Sequence, residues 1–389
     1  MPAASILIKP ASSNCNIDCT YCFYKCLSSN REQYSLGFMK DDILEKLVIR
    51  AFEYADYHVT FAFQGGEPTL VGLPFFRRVL ELQQKYNTKG IAVENTIQTN
   101  GLLIDREWAQ FLAENHILAG VSLDGPKKLH DRYRRDAKGA PTFDRVMRTI
   151  SLFREYRVDY NILSVITSET CEKASYLYHF YQRNQFSYVQ LIPCMDERGR
   201  NTGMDGASDF RVTPEKYGKF LCELFDLWYD DFMQSQNVNT QAYGQQPMDI
   251  RMFSNLAQMA AGYPAEECGM NGHCTCYFVV EGDGSVYPCD CYCLDAWKLG
   301  TVENSFGDMI RSDRALQFVE QSHPIAARCR SCAYYTLCRG GCRRWREGAD
   351  GGVSLNALCP AYEMFFAHTE ERIQELGKII LRRYGGYRK

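Results

Sequence analysis

Cys15, Cys19 and Cys22 stand in the spacing C-x3-C-x2-C, directly after the apolar run SILIKP at 5–10. Three closely spaced thiolates are soft ligands that suit three corners of a cubane iron–sulfur cluster. The fourth iron then has no protein ligand and stays open to a substrate or cofactor. Zinc sites instead favour pairs of C-x2-C that complete four ligands. A second group of cysteines begins at Cys268: C-x5-C to Cys274, C-x14-C to Cys289, then Cys329, Cys332, Cys338 and Cys342 as C-x2-C-x5-C-x3-C, and finally Cys359. A zinc ribbon is the alternative for its C-x2-C piece alone. A disulfide framework does not fit the 18 cysteines. The first residues, MPAASILIKP, carry no export signal, and 389 residues are too many to need stapling.

The elements that must position these thiols are legible up to about residue 200. Apolar runs at 5–10, 59–64, 93–99, 118–124, 161–167 and 188–193 read as strands. Helix-like stretches lie between them at 40–56, 72–86, 105–115, 142–157 and 172–184. In 142–157, Phe143, Val146, Ile150 and Phe153 recur as a core-facing helix requires. Thr142 and Asp105 sit where N-caps are wanted. Six strands alternating with helices predict a parallel α/β sheet, a partial barrel or an open doubly wound form. Either form gathers its site beyond the C-terminal strand ends, where the loop of Cys15–Cys22 falls. Residues 196–212 read as a linker, a helix follows around 214–234, and the region beyond 260 is turn-rich with little periodicity. Such a segment cannot build much core from side chains and would be held by its metals. The tail at 360–384 reads as a helix.

Net charge is −3, which gives no electrostatic case for nucleic acid or anionic lipid. No run approaches the roughly 18 apolar residues a membrane span needs. A cytoplasmic, monomeric protein is the default expectation.

The triad followed by Phe23-Tyr24 resembles the signature of the radical S-adenosylmethionine superfamily. Gln64-Gly65-Gly66-Glu67-Pro68 matches that family's GGEP motif, although alone it would read as a tight turn. The resemblance implies that the open iron chelates S-adenosylmethionine and that an electron from the cluster releases a 5′-deoxyadenosyl radical. It implies that Gly65, Gly66 and Glu67 hold the methionine ammonium. Gln98 and Asn100 of QTNG and Ser122 of SLDG fit the ribose- and carboxylate-binding positions. Arg134 would fork onto the cofactor carboxylate, or else be a solvated surface arginine. Tyr24, Gln64 and Met195 complete the cofactor-binding set, with substrate positioning or a packed core side chain as the alternatives for Tyr24. The expected fold is a partial (β/α)6 TIM-like barrel at 1–235, a cysteine-rich extension at 236–363 and a C-terminal helix at 364–389.

That extension resembles the SPASM domain of peptide-modifying radical enzymes, which carries two auxiliary four-iron clusters. By resemblance, Cys268, Cys274, Cys289 and Cys342 hold the first and Cys329, Cys332, Cys338 and Cys359 the second, for three [4Fe-4S] clusters in all. A cluster closed by four thiolates cannot bind substrate and is left with electron transfer. Of the other seven cysteines, Cys171, Cys194 and Cys222 read as small buried residues. Cys276, Cys291 and Cys293 lie beside proposed ligands and leave alternatives open; Cys26 has no assigned role.

KPASSNCNIDCTYCFY, FAFQGGEPTL, QTNG, SLDGP, CGMNGHCTC, GSVYPCD and CRGGCRRWR together resemble the anaerobic sulfatase-maturating enzymes from about residue 6 to 363. These oxidise a cysteine or serine of a sulfatase polypeptide to Cα-formylglycine. The radical would take a hydrogen from the substrate Cβ, a base the thiol or hydroxyl proton, and the auxiliary clusters the remaining electron. Asp290 matches the family's base; an Asx-type turn cap is its structural alternative. A flavodoxin or ferredoxin is the implied electron donor. The rival enzyme is another SPASM maturase forming a thioether or carbon–carbon crosslink, disfavoured because no room precedes Cys15 for a leader-peptide domain. The rival outside enzymes is a multi-cluster electron carrier.

Overall fold

The computed structural model describes residues 2–195, 210–237, 247–347 and 352–384. In chain order the strands are β1 (Ala4–Ile8), β2 (His58–Phe63), β3 (Ala92–Thr99), β4 (Leu118–Ser122), β5 (Tyr160–Ile166), β6 (Tyr188–Pro193), β7 (Asp249–Ile250), β8 (Phe278–Val280), β9 (Ser285–Tyr287) and β10 (Gly300–Thr301). The chain forms two compact units, the first from 1–123, 130–160 and 275–321, the second from 124–129, 161–274 and 322–389.

In the first unit the strands run in the order β10-β9-β8-β1-β2-β3-β4. β1 to β4 are parallel, with Ile8 beside Phe63 and Phe63 beside Ile97. The helices Asp41–Tyr54, Leu73–Tyr86, Arg106–Glu114 and Phe143–Tyr156 alternate with these strands. Each presents an apolar stripe, such as Leu44, Leu47, Val48 and Ala51, because these positions recur at three- and four-residue steps. Asp105 caps its helix by accepting the Trp108 N–H. Thr142 does not cap with its side chain. The Asp131 carboxylate takes the N–H groups of Thr142 and Phe143, both at 2.9 Å, and the Thr142 hydroxyl turns to the Arg134 carbonyl instead. Phe143 is only half-buried. Thr149 joins Val146, Ile150 and Phe153 on the buried face, where its hydroxyl donates to the Gly101 carbonyl.

The stretch after 260 contributes more core than its sequence suggests. β8 and β9 are three residues each, and all six are buried. β8 lies parallel to β1, with Ile6 beside Phe278 and Ile8 beside Val280. Phe278, Val279 and Val280 have no polar alternation because both faces are covered. Burying three such side chains contributes on the order of 1.5–3 kcal/mol each.

The second unit holds the parallel pair β5–β6 extended by β7. Its helical part is built on Pro214–Asn237, Arg251–Ala260 and Cys359–Tyr384, whose Phe225, Phe253 and Phe365 pack edge-to-face and stacked at 5.1–5.8 Å. Of the linker expected at 196–212, positions 196–209 lie outside the described residues.

Candidate active site

The chain leaves β1 at Ile8 and places Lys9, then the cysteine loop, at the C-terminal edge of the sheet. Lys9 continues the strand, its N–H on the Val280 carbonyl at 2.8 Å. Cys22 is the N-cap of the short helix Phe23–Ser29, which puts Tyr24 in its first turn. After β2 the chain turns through Gly65 and Gly66, both with positive φ, +94° and +53°. A Cβ on Gly65 would lie 2.6 Å from Lys9 Cγ, and one on Gly66 would collide with the carbonyl oxygens of Asn14 and Ser12. Glycine is therefore required here by close approach as well as by φ. The Glu67 N–H then binds the Asn14 carbonyl at 2.8 Å, strapping this turn to the entry of the cysteine loop.

Glu67 is almost fully buried, and its carboxylate is occupied within the protein. Oε1 accepts from the Thr69 N–H, the Thr69 hydroxyl and the Thr99 hydroxyl, and Oε2 from the Asn100 N–H. The side chain thus braces the turn after β2 against the turn after β3. Burial holds its pKa above the ordinary glutamate value even though these four donors pull it down. Asn100 in turn donates to Asn16 Oδ1 at 2.7 Å and points at Cys15 Sγ at 3.8 Å. Gln98 Nε2 donates to Ser122 Oγ at 3.2 Å across β3 and β4. Arg134 is buried rather than solvated, with Nη1 3.9 Å from Cys19 Sγ and the guanidinium 5.4 Å from the Tyr21 ring.

Asp290 follows Cys289 at the end of β9 and is only 7% exposed. The Tyr24 hydroxyl donates to Asp290 Oδ2 at 2.7 Å, and Gln64 Nε2 donates to that hydroxyl at 2.8 Å. Lys9 Nζ lies 2.8 Å from Asp290 Oδ1, 3.6 Å from Glu281 Oε1 and 4.7 Å from the centre of the Tyr24 ring, and it donates to Cys293 Sγ at 3.4 Å. Arg31 Nη1 donates to the same Glu281 oxygen at 2.7 Å. Burial pulls the Lys9 pKa down. Asp290, Cys293 and Glu281 outweigh it and raise the pKa, so Lys9 is a fixed cation. For Glu281, burial pushes the pKa up, but Lys9 and Arg31 prevail and hold it below the usual carboxylate value. Burial first, and then Asp290, raise the Tyr24 hydroxyl well above the ordinary tyrosine value, so it stays a donor.

The structure therefore brings Tyr24, Gln64 and Asp290 into one hydrogen-bonded row, which the turn-cap reading of Asp290 does not require. Lys9, Glu281 and Arg31 were not singled out in the sequence. The available signal was a lysine closing an apolar strand, since a buried lysine needs a partner. Met195 belongs to the second unit, two residues past β6, and is half-buried.

Among the described residues, no three Cys, His, Asp or Glu side chains are arranged to hold a single metal ion. The fit to a cluster rests on donor chemistry. The loop after β1 carries three thiols, and N–H groups of Asn100 and Arg134 point at the sulfurs of Cys15 and Cys19. Such donors tune sulfur-ligated iron. Burial pushes the Cys15 thiol up to about 11 and raises Cys22 as well, so their thiolate forms depend on a bound metal. In the second unit, burial pushes the Cys338 thiol up to about 11, reinforced by the charges of Cys359, Cys329 and Cys332. Cys268, Cys274 and Cys342 also belong to the second unit, and Cys289 to the first. Cys171 and Cys194 are buried as expected; Cys222 is half-buried.

A parallel sheet with three thiols in the loop after its first strand, and a glycine-braced turn after its second, defines a radical S-adenosylmethionine enzyme. Residues 10–179 match the Radical SAM superfamily, and residues 272–333 match SPASM, an iron–sulfur cluster-binding domain. The cysteine-type anaerobic sulfatase-maturating enzyme of Clostridium perfringens is 44% identical over 375 residues, 96% of this chain and 98% of its own length. A serine-type anaerobic sulfatase-maturating enzyme of Bacteroides thetaiotaomicron is 31% identical over 395 residues, 97% and 92% of the two chains. The solved structure of native anSMEcpe with bound AdoMet and Cp18Cys peptide superposes with a TM-score of 0.90 at 41% identity, covering 97% of this chain and all of that one. The chain belongs to the anaerobic sulfatase-maturating enzymes.

Proposed function

We propose that this enzyme oxidises a cysteine of a sulfatase polypeptide to Cα-formylglycine. The observation that carries the reading is Asp290, a buried carboxylate fixed between the Lys9 ammonium and the Tyr24–Gln64 pair. The cysteine preference follows the 44% identical relative, which is cysteine-type, against 31% for a serine-type one. Cys15, Cys19 and Cys22 would hold the catalytic four-iron cluster. Cys329, Cys332, Cys338 and Cys359 would hold one of two auxiliary clusters, for three in all. Cys268, Cys274, Cys289 and Cys342 are assigned to the other by resemblance alone. Held by these residues, the clusters and S-adenosylmethionine would supply a radical that takes hydrogen from the substrate Cβ and an acceptor for the electron left behind.

The chain's own side chains do the rest. Asp290 accepts the substrate thiol proton. Lys9 Nζ at 2.8 Å holds that carboxylate in place, and Tyr24, held by Gln64, fixes its second oxygen. Asn100, Gln98, Ser122, Arg134, Met195 and the Gly65-Gly66-Glu67 turn are assigned to the cofactor. Among the described residues no helix is long and apolar enough to cross a membrane. A reducing cytoplasm, a monomer and a flavodoxin or ferredoxin as electron donor complete the reading. Mass spectrometry of a cysteine-containing sulfatase peptide after anaerobic turnover tests it. Formylglycine replaces SH and H by O, whereas loss of two hydrogens only would identify a crosslinking enzyme and overturn the proposal.

A further inference from the structure

Behind Asp290, two basic and two acidic side chains alternate in one row. Arg31 Nη1 lies 2.7 Å from Glu281 Oε1, that oxygen lies 3.6 Å from Lys9 Nζ, and Lys9 Nζ lies 2.8 Å from Asp290 Oδ1. The Arg31, Glu281 and Lys9 side chains are 3%, 1% and 3% exposed. Charge so far from water is tolerated only when each group faces its opposite, and a hydrophobic replacement of similar volume is often no less stable. Packing alone therefore gives little reason for Glu281 and Arg31. They stand one and two places behind the lysine that holds the catalytic carboxylate.

An ammonium is a point charge on a flexible stem, so its direction is set by the groups around it. Lys9 has three: Asp290 Oδ1, Cys293 Sγ at 3.4 Å and Glu281 Oε1. Glu281 sits on the turn between β8 and β9, its N–H on the Ser285 carbonyl at 2.9 Å. Arg31 in turn anchors Glu281 to the cysteine loop. Its Nη2 donates to Ser13 Oγ at 2.9 Å, Ser28 Oγ at 3.0 Å and the Tyr34 carbonyl at 3.4 Å. The Ser13 and Ser28 hydroxyls also bond to each other. Ser13 precedes Cys15 and Ser28 follows Cys22, so one guanidinium clasps both flanks of the loop. The row thus runs without a break from the frame of the thiol loop to the carboxylate.

We propose that Glu281, anchored by Arg31, is a positioning residue for formylglycine formation: it directs the Lys9 ammonium onto Asp290 and ties that carboxylate to the frame of the thiol loop. The inference rests on the reading of Asp290 as the base. The step it serves is a proton transfer. The substrate S–H bond breaks, an O–H bond forms on Asp290, the bonding pair stays on sulfur, and nothing is oxidised or reduced in that step. Without the Glu281 charge, Lys9 keeps only Asp290 and Cys293 as acceptors, and Arg31 loses its carboxylate. A small misplacement of a catalytic group is costly in rate. Hydrogen is still taken from the substrate Cβ, but the thiol proton is taken less efficiently, so 5′-deoxyadenosine forms in excess of formylglycine.

The test uses the holoenzyme with Glu281→Gln, which keeps the shape and removes the charge, and Arg31→Lys, which keeps the charge and gives up the fork. Both products are measured by mass spectrometry in one anaerobic reaction, on a sulfatase peptide deuterated at the cysteine Cβ. Formylglycine per 5′-deoxyadenosine should fall about tenfold in Glu281→Gln and about threefold in Arg31→Lys, the scale of a displaced catalytic group. Deuterium should still reach 5′-deoxyadenosine, and iron content and both KM values should stay near those of the parent. Amide exchange across 28–34 should rise in Arg31→Lys while β1 and β2 keep the parent pattern. A role in folding alone would lower both products and the iron together and leave their ratio unchanged, and the inference then fails. It fails equally if the ratio holds in both variants, or if KM for the peptide rises in place of the uncoupling. Where Glu281→Gln does not fold, the ratio in Arg31→Lys decides. Absence of formylglycine from the parent enzyme would instead refute the function proposed above.

Discussion

The two cysteine regions are built on opposite principles. The loop of Cys15–Cys22 is set on a finished framework. It is strapped to the turn after β2 through Glu67 and Asn14 and pinned by the N–H groups of Asp18 and Thr20 on the carbonyls of Arg135 and Tyr133. The segment carrying Cys329, Cys332 and Cys338 has only the four-residue helix Tyr335–Cys338 and the single turns Ala327–Ser331 and Arg343–Trp345 as regular structure. Its order comes from the Arg346 guanidinium gathering three carbonyls and from Asn356. The first region positions a metal group that must keep one corner open and oriented. The second needs only to enclose one, so the metal can share the work of folding.

Replacing one thiol in each region breaks or sustains this contrast most strongly. Cys19→Ala should abolish 5′-deoxyadenosine production, read by chromatography, while amide hydrogen exchange in the surrounding strands stays near the parent pattern. Cys338→Ala should leave cleavage of S-adenosylmethionine measurable but sharply raise exchange across 322–347. Equal loss of protection in both variants would erase the distinction. Asp290→Asn tests the site that the framework supports. Formylglycine formation should fall by about 100-fold or more, the usual effect of losing a general base, with cofactor cleavage continuing. Turnover at the parent rate would remove Asp290 from its role.

Lys9→Met probes how far the framework depends on buried charge. It leaves the carboxylates of Asp290 and Glu281 short of a cation and should cost about 3–5 kcal/mol in denaturant unfolding. Because the Glu281 pKa is depressed in the folded state, its stabilising contribution is fully present above the unfolded value of about 4.3. It drains away as pH falls through the folded value. Acid unfolding followed by circular dichroism should therefore be shallower in Lys9→Met than in the parent. The smallest effect is expected for Gly66→Ala, about 1–3 kcal/mol, from a methyl driven into two carbonyls at positive φ. Its signature is a raised KM for S-adenosylmethionine rather than loss of the auxiliary iron.

The sequence showed much of this architecture because local pattern and global fold agree in the first 195 residues. The six strand runs and five helical stretches fall within a few residues of the observed elements, since each has its own periodicity. Lys9 was passed over because nothing local distinguishes a lysine that ends a buried strand from one that emerges into water. Its meaning comes from Asp290, 281 positions later. β8 and β9 were missed for a related reason: three-residue runs such as Phe278–Val280 are too short to show a period and are recruited by the neighbouring β1. The Asp131 cap on Phe143–Tyr156 likewise arises from tertiary proximity, eleven residues upstream of the expected Thr142.

The pairing of β1 with β8 also sets an order of events during synthesis. Strand β1 leaves the ribosome some 270 positions ahead of a permanent neighbour, and until that partner emerges one side of β1 presents bare amide and carbonyl groups. A nascent chain in this state invites association with other chains, so its safe passage depends on chaperone cover or rapid elongation. A chain interrupted before Phe278 would keep its cysteine loop and much of its sheet yet be prone to aggregate.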